Sequence, residues 1–252
     1  MDVTKMPDKI EGECKLKKLT LEDCAIFKGK QEIEFSTDND KKITAIIGQN
    51  DTGKTLLYSI IKMYFSLEVS GNKITSKPII DATFDQSLIS KENEWLFFVS
   101  EDISQKRNIE NYGEFATHDI MKRMNEIYHK YDTKKDVNHF EVDKDHNIHG
   151  IKHDGQTVSL AASEKILANF AYILAVKKVC AEKSFLVIDG ILDHTSSEKK
   201  TNIMNMITEN SAQVIWFCTD SEYQHAEKDL IGKEYIIKYD SGNKCSEIKT
   251  LD

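Results

Sequence analysis

A chain of 252 residues, 40% hydrophobic and 30% charged with only two prolines, has the balance of a soluble globular protein. It is long enough for one large domain or two small ones around a sizeable core. A formal net charge of −8 excludes a generic basic nucleic-acid coat, although local basic patches survive such a balance. Five cysteines scattered singly, with no CxxC pair, exclude a cysteine-built zinc site and fit a reduced, cytoplasmic chain.

Residues 1–13 are polar and are expected to fray; they lack the apolar core of a signal peptide, and no apolar run approaches a membrane span. Lys15–Phe27 and Gln31–Ser36 alternate in polarity, which predicts two strands joined by a turn at Lys28-Gly29-Lys30. After a polar turn at Asp38–Lys42, the run Ile43–Gly48 reads as a buried strand. From Lys54, the residues Leu57, Ile60, Ile61, Tyr64 and Phe65 recur at helical spacing. A loop over Val69–Pro78 leads to strands at Ile79–Asp85 and Asn93–Ser100. Residues 101–115 are polar and carry no clear period.

Ala116–Tyr131 places Ile120, Met124, Ile127 and Tyr131 on one helical face. Val137–Gly155 reads as two short strands with turns at Asp145–Asn147 and Asp154–Gly155. Ser163–Val179 is apolar nearly all round, the pattern of a buried helix. Ser184–Asp189 is a strand, and Thr195 with Glu198 has capping-box spacing, which predicts a helix start there. Ala212–Thr219 is another buried strand, and Glu234–Leu251 a hairpin over Ser241-Gly242-Asn243. No internal repeat or low-complexity linker divides the chain.

The strongest motif is GQNDTGKT, Gly48 to Thr55, a full match to G-x-x-x-x-G-K-[ST] between a strand and a helix. Backbone N–H groups of Asn50, Asp51, Thr52, Gly53, Lys54 and Thr55, with Leu56 behind them in the first helical turn, are placed to wrap a phosphate. Gly53 permits the close turn, Lys54 reaches the β- and γ-phosphates, and the Thr55 hydroxyl ligates Mg²⁺. Such a site needs a second acid at the end of a neighbouring apolar strand, and Asp189 ends Phe185–Ile188. ATP and Mg²⁺ are therefore the expected cofactors.

The order of these parts resembles the head domain of SMC/RecF-type ABC ATPases, which include heads of DNA-repair, DNA-phosphorothioation and anti-phage defence proteins. The resemblance runs over roughly residues 14–250. It implies an α/β fold: a P-loop NTPase with an antiparallel β lobe and a mainly parallel core sheet flanked by helices. The whole of 1–252 is then one head. It also implies ATP-dependent head-to-tail homodimers, a second protein subunit, possible action on DNA and no membrane. The signature L-S-G-G-E-K falls on Leu160-Ala161-Ala162-Ser163-Glu164-Lys165, which makes Ser163 and Glu164 the residues acting in trans.

Several family residues are replaced. The catalytic glutamate falls on Gly190, which leaves Asp193 as the nearest acid. The D-loop falls on Leu192-Asp193 or on Thr195-Ser196. The switch histidine falls near Thr219-Asp220, leaving Asp220 as the acid there. The arginine near the start falls on Ala25, with Lys28 and Lys30 the nearest basic groups. Glu101 and Gln105 are the Q-loop candidates, and Gln105 is a further metal candidate. The stretch from Thr55 to Leu160 has no sustained heptads, so 101–157 is an insertion standing where long coiled-coil arms would be. These replacements predict slow hydrolysis, or a nucleotide-binding regulatory or scaffold subunit that turns over little.

Outside the motif, His139, His146, His149 and His153 lie in a turn-rich hairpin whose strands splay them onto different faces. Lysines 15, 17, 18, 28, 30, 41 and 42 offer a basic face for phosphates, against which stands an ordinary solvated surface.

Overall fold

The computed structural model describes residues 14–69, 79–83, 98–99, 114–132, 136–142, 148–180, 182–190, 192, 195–224 and 226–251. The elements begin with strands Lys15–Cys24 (β1), Phe27–Glu34 (β2) and Ile43–Gly48 (β3), then helix Lys54–Val69 (α1). Strands Ile79–Thr83 (β4) and Phe98–Val99 (β5) precede helix Glu114–Tyr131 (α2). Next come His139–Val142 (β6), Ile148–Ile151 (β7), Thr157–Val158 (β8) and helix Ala162–Cys180 (α3). Phe185–Asp189 (β9), Ser197–Glu209 (α4), Gln213–Cys218 (β10) and Asp220–Tyr223 (α5) follow, and Ile231–Asp240 (β11) and Cys245–Thr250 (β12) close the chain.

The runs without alternation, β3, β9 and β10, are buried along their whole length. That is the pattern of parallel strands covered on both faces. They sit together in one nine-stranded sheet of order β4-β1-β2-β12-β11-β3-β10-β9-β5. β11, β3, β10, β9 and β5 pair in parallel, while β4, β1 and β2 form the antiparallel part. The antiparallel lobe and the parallel core are thus continuous, joined through the β11–β12 hairpin and the β12–β2 pair. The sheet curls strongly. Cys14, just before β1, bridges Ser184 beside β9. The side chain of Gln213 at the start of β10 bonds Leu16 N, Leu16 O and Ser36 O at 2.7–2.9 Å.

α1 lies against β3, β9 and β10. Its Tyr58 and Phe65 meet Phe98, Phe185 and Phe217 mostly edge to face, with ring centroids 5.3–6.1 Å apart. Such aromatic pairs add about 0.5–1.5 kcal/mol each beyond burial. α2 packs along α3 and touches α4. Its buried face comprises the expected Ile120, Met124, Ile127 and Tyr131, and also Tyr128, whose ring meets Phe140 at 4.7 Å. Among the described residues α2, at 18 residues, is the only helix between α1 and α3, and it folds back on the head.

Three local expectations are corrected. The first hairpin turns at Ala25-Ile26, not at Lys28-Gly29-Lys30. Asp23 and Ala25 take φ of 48° and 53°, and Asp23 Oδ1 accepts from Gly29 N at 2.9 Å, so Gly29 lies within β2. The hairpin at 139–151 gains a third strand, β8. The capping box at Thr195 does not form. Ser196 is the N-cap of α4 without a side-chain bond, and the Thr195 hydroxyl donates to Leu192 O at 2.8 Å. The expected fraying of 1–13 lies outside the described residues, as do most of the strand at 93–100 and His146.

Candidate nucleotide-binding site

The chain leaves β3 at Gly48 and enters α1 at Lys54. Between them Asp51 has φ 64° and Gly53 φ 105°, backbone states that carry the loop around a small hollow. A side chain at either glycine of the motif would force its neighbours to move. A Cβ on Gly48 would lie 2.6 Å from Thr52 Oγ1, and one on Gly53 2.7 Å from Ile26 Cδ1. Thr52 Oγ1 donates to Gln49 O at 2.8 Å, and Ser246 Oγ of β12 donates to Thr52 O at 2.7 Å. The terminal hairpin therefore props the loop from behind. Lys54 is 8% exposed, and its Nζ donates to Gly48 O at 2.5 Å and Gln49 O at 2.8 Å.

This geometry fits a phosphate. The ammonium is held inside the loop by two weakly charged carbonyls, which an anion would outcompete in a charge-assisted contact. α1 adds its N-terminal N–H groups at the same place. Asn50, Asp51 and Thr55 are exposed at the mouth and Leu56 is half-buried. Lys28 is exposed on β2.

Asp189 ends β9 and is 7% exposed. It pairs with Phe217 of β10, and Phe217 pairs with Ile46 of β3, so the P-loop and Asp189 leave the same edge of the sheet. Two strand spacings put them roughly 10 Å apart across that edge. Gly190 follows with φ 64° and donates its N–H to Phe217 O at 3.3 Å. Glycine adopts that left-handed backbone without the strain a side chain would bring. Asp193, Glu101 and Gln105 lie outside the described residues.

At the end of β10, Thr219 caps the short α5, and Asp220 is exposed in its first turn. The capping box is complete: Thr219 Oγ1 accepts from Glu222 N, and Glu222 Oε2 accepts from Thr219 N at 2.9 Å. Sequence reasoning missed this box, although Thr219-x-x-Glu222 has the spacing that signals it. Burial, then the neighbouring Glu222 carboxylate, pushes the Cys218 thiol well above its usual range, so it stays protonated.

At the position where the resemblance expects the signature, Ala161 stands just before α3 and has no polar side chain to cap it. Glu164 supplies half a box, its Oε2 accepting from Ala161 N at 2.9 Å. Ser163 is half-buried and accepts from Lys199 Nζ of α4 at 2.6 Å. The lysines of the first two strands are divided. Lys15 is buried on Thr37 O and Asn39 Oδ1, while Lys18 and Lys30 both pair with Glu32, which their hydrogen bonds hold down at about 2. Among the described residues no group of histidines, cysteines and acids has metal-site geometry, and no helix is long and apolar enough to cross a membrane.

A P-loop at the C-terminal edge of a mainly parallel sheet, an acid ending the strand two away and a helix starting at Ala162 make up the fold of an SMC-type head domain. Solved structures share this fold. An SMC head domain from Thermotoga maritima aligns with 94% of this chain and 99% of its own, at 18% identity and TM-score 0.57. An Smc head bound to the C-terminal winged-helix domain of ScpA aligns over 94% and 97%, at 15% identity and TM-score 0.63. The Smc head of Pyrococcus furiosus, with an extended coiled coil and bound to the C-terminal domain of ScpA, aligns over 95% and 96%. Its identity is 11% and its TM-score 0.60. No curated protein matches the sequence. The family model described as an AAA domain matches residues 18–240, and the chain belongs to that family.

Proposed function

We propose that this protein is an Mg²⁺-ATP-binding ABC-type ATPase that closes head to tail into a dimer on ATP and hydrolyses it slowly. The observation that carries the reading is Lys54, buried inside a loop where a Cβ at Gly48 or Gly53 would crowd its neighbours to 2.6–2.7 Å. Lys54 exchanges its two carbonyl partners for phosphate oxygens, and the N–H groups of residues 50–55 bind the rest of the anion. Thr55 and Asp189 would hold Mg²⁺, with Gln105 a further candidate, and the ion's chemistry is to neutralise charge on the phosphates. Lys28, exposed on β2, would contact phosphate or the adenine edge. Across the dimer, Ser163 and Glu164 meet the partner's nucleotide, with Lys199 beside Ser163 adding positive charge that Ala161 cannot replace.

Slow turnover follows from three positions. Gly190 cannot orient water, Ala161 cannot donate to a phosphate, and Thr219 has its hydroxyl engaged in the α5 cap. Asp193 and Asp220 are the remaining acids for water activation. The same three positions favour a second reading, a nucleotide-binding regulatory or scaffold subunit with little hydrolysis. The single head spans 1–252, with 101–157 as the insertion. A second protein subunit is proposed because two Smc heads of similar fold are bound to ScpA domains. The setting proposed is DNA repair or anti-phage defence in the cytoplasm, on the strength of the SMC/RecF resemblance.

Mass by light scattering with and without ATP-Mg²⁺ tests the dimer: doubling supports it and constant mass refutes it. Steady-state phosphate release separates the two readings. Turnover above about one per minute, a barrier near 20 kcal/mol, favours the ATPase.

A further inference from the structure

We propose that Glu222 is a positioning residue that couples the end of β10, on the phosphate side of the site, to the loop after Asp189 and through it to the signature face; this rests on the ATPase reading above. Glu222 is 1% exposed, yet it is a carboxylate. A buried carboxylate is tolerated only when its oxygens are well bonded. Here one oxygen serves each of two segments. Oε2 accepts from Thr219 N at 2.9 Å and Thr219 Oγ1 at 3.2 Å, and Oε1 accepts from Leu192 N at 3.1 Å.

A capping box needs only the first of these. The second has no role in starting a four-residue helix and reaches 30 positions back along the chain. Register pairing of β9 with β10 ends at Asp189–Phe217, followed by the Gly190 N to Phe217 O bond at 3.3 Å. Beyond that point Glu222 continues the connection between the two diverging chains. Leu192 is itself 1% exposed, and its carbonyl accepts from both Thr195 N and Thr195 Oγ1, closing the turn into α4. α4 in turn presents Lys199 to Ser163 at the start of α3. A contiguous set of bonded groups therefore runs from Thr219, through Glu222 and Leu192, to the face that meets a second head.

A movement of Thr219 when phosphate binds is transmitted to the backbone of Leu192 because one rigid carboxylate holds both N–H groups. Glu222→Gln is the informative change. An amide has one accepting oxygen and one donating nitrogen, so it satisfies one of the two N–H groups and opposes the other. Glu222→Ala removes both bonds and serves as the severe variant.

Three measurements on the full chain test this: hydrogen exchange over 188–196 without and with ATP-Mg²⁺, equilibrium ATP binding, and phosphate release. Glu222→Gln is expected to raise exchange in that segment by at least about tenfold, the equilibrium worth of one charge-assisted hydrogen bond. It is also expected to erase the added protection that ATP confers there, to lower turnover about tenfold, and to leave ATP affinity within about threefold. Unchanged exchange at 188–196 overturns the clasp. Faster exchange with normal turnover and normal ATP-induced protection reduces Glu222 to a cap and overturns the coupling. A wild-type chain that binds no ATP overturns the nucleotide reading itself, a distinct result visible before any variant is made.

Discussion

Gly53→Ala tests the loop geometry from two sides. The residue has φ 105°, a region that L side chains rarely adopt, and holding alanine there costs about 1–3 kcal/mol. The new Cβ would also sit 2.7 Å from Ile26 Cδ1 and 3.3 Å from Phe27 Cζ. Ile26 is half-buried and can shift, Phe27 is fully buried and cannot, so overpacking adds about 1–3 kcal/mol. The expected loss is therefore roughly 2–6 kcal/mol, read as a lower midpoint in urea denaturation. The share due to Ile26 is separable. Gly53→Ala combined with Ile26→Ala removes that contact but not the strain, so the double variant is more stable than the sum of the single effects by about 1–2 kcal/mol. ATP affinity, measured by titration calorimetry, falls at least about tenfold in both, because the N–H groups of the loop are re-aimed. A Gly53→Ala protein within about 0.5 kcal/mol of wild type, with undiminished ATP affinity, refutes this account of the loop.

Ser246→Ala removes the buried hydroxyl on Thr52 O and leaves that carbonyl unpaired from behind, at about 1–3 kcal/mol; denaturation checks the stability, and calorimetry the accompanying loss of ATP affinity. Lys177 gives a pH test. Burial holds its ammonium down to about 7, with the neighbouring Cys14 thiol acting in the opposite direction, and its Nζ donates to Ser184 O, Ser184 Oγ and Phe185 O. Below pH 7 the folded state carries a buried charge; between about 7 and 10.5 only the unfolded chain binds the proton, so this residue's contribution to stability rises with pH at up to about 1.4 kcal/mol per unit. Guanidinium denaturation of wild type and Lys177→Met at pH 6.5, 7.5 and 8.5 should show the wild type gaining on the variant as pH rises; a constant gap contradicts it.

The parts of the fold that were legible in the sequence are those with a strong local signal. β3, β9 and β10 are unbroken apolar runs, and α1 and α2 have helical spacing over three turns or more. The P-loop was legible because its glycines, lysine and threonine answer to one ligand at fixed positions. What was missed depends on partners distant in the chain. Ser246 props Thr52 and Gln213 pairs with Leu16, neither of which any local pattern announces. The capping spacing misleads at Thr195, where it was read, and holds at Thr219, where it was overlooked. At the first site the Thr195 hydroxyl is taken by a local turn bond to Leu192 O; at the second, Glu222 is buried and both halves of the box are held. The first hairpin turned early because Ala25 accepts positive φ once Asp23 bonds Gly29, a preference that composition favours at Lys28-Gly29-Lys30 instead.

The central claim is that the loop around Lys54 binds the phosphates of ATP. Titration calorimetry of ATP-Mg²⁺ into wild type and Lys54→Ala, at matched stability, tests it most directly. Saturable binding to the wild type and none to Lys54→Ala is the predicted result. Equal affinity in the two proteins would contradict it.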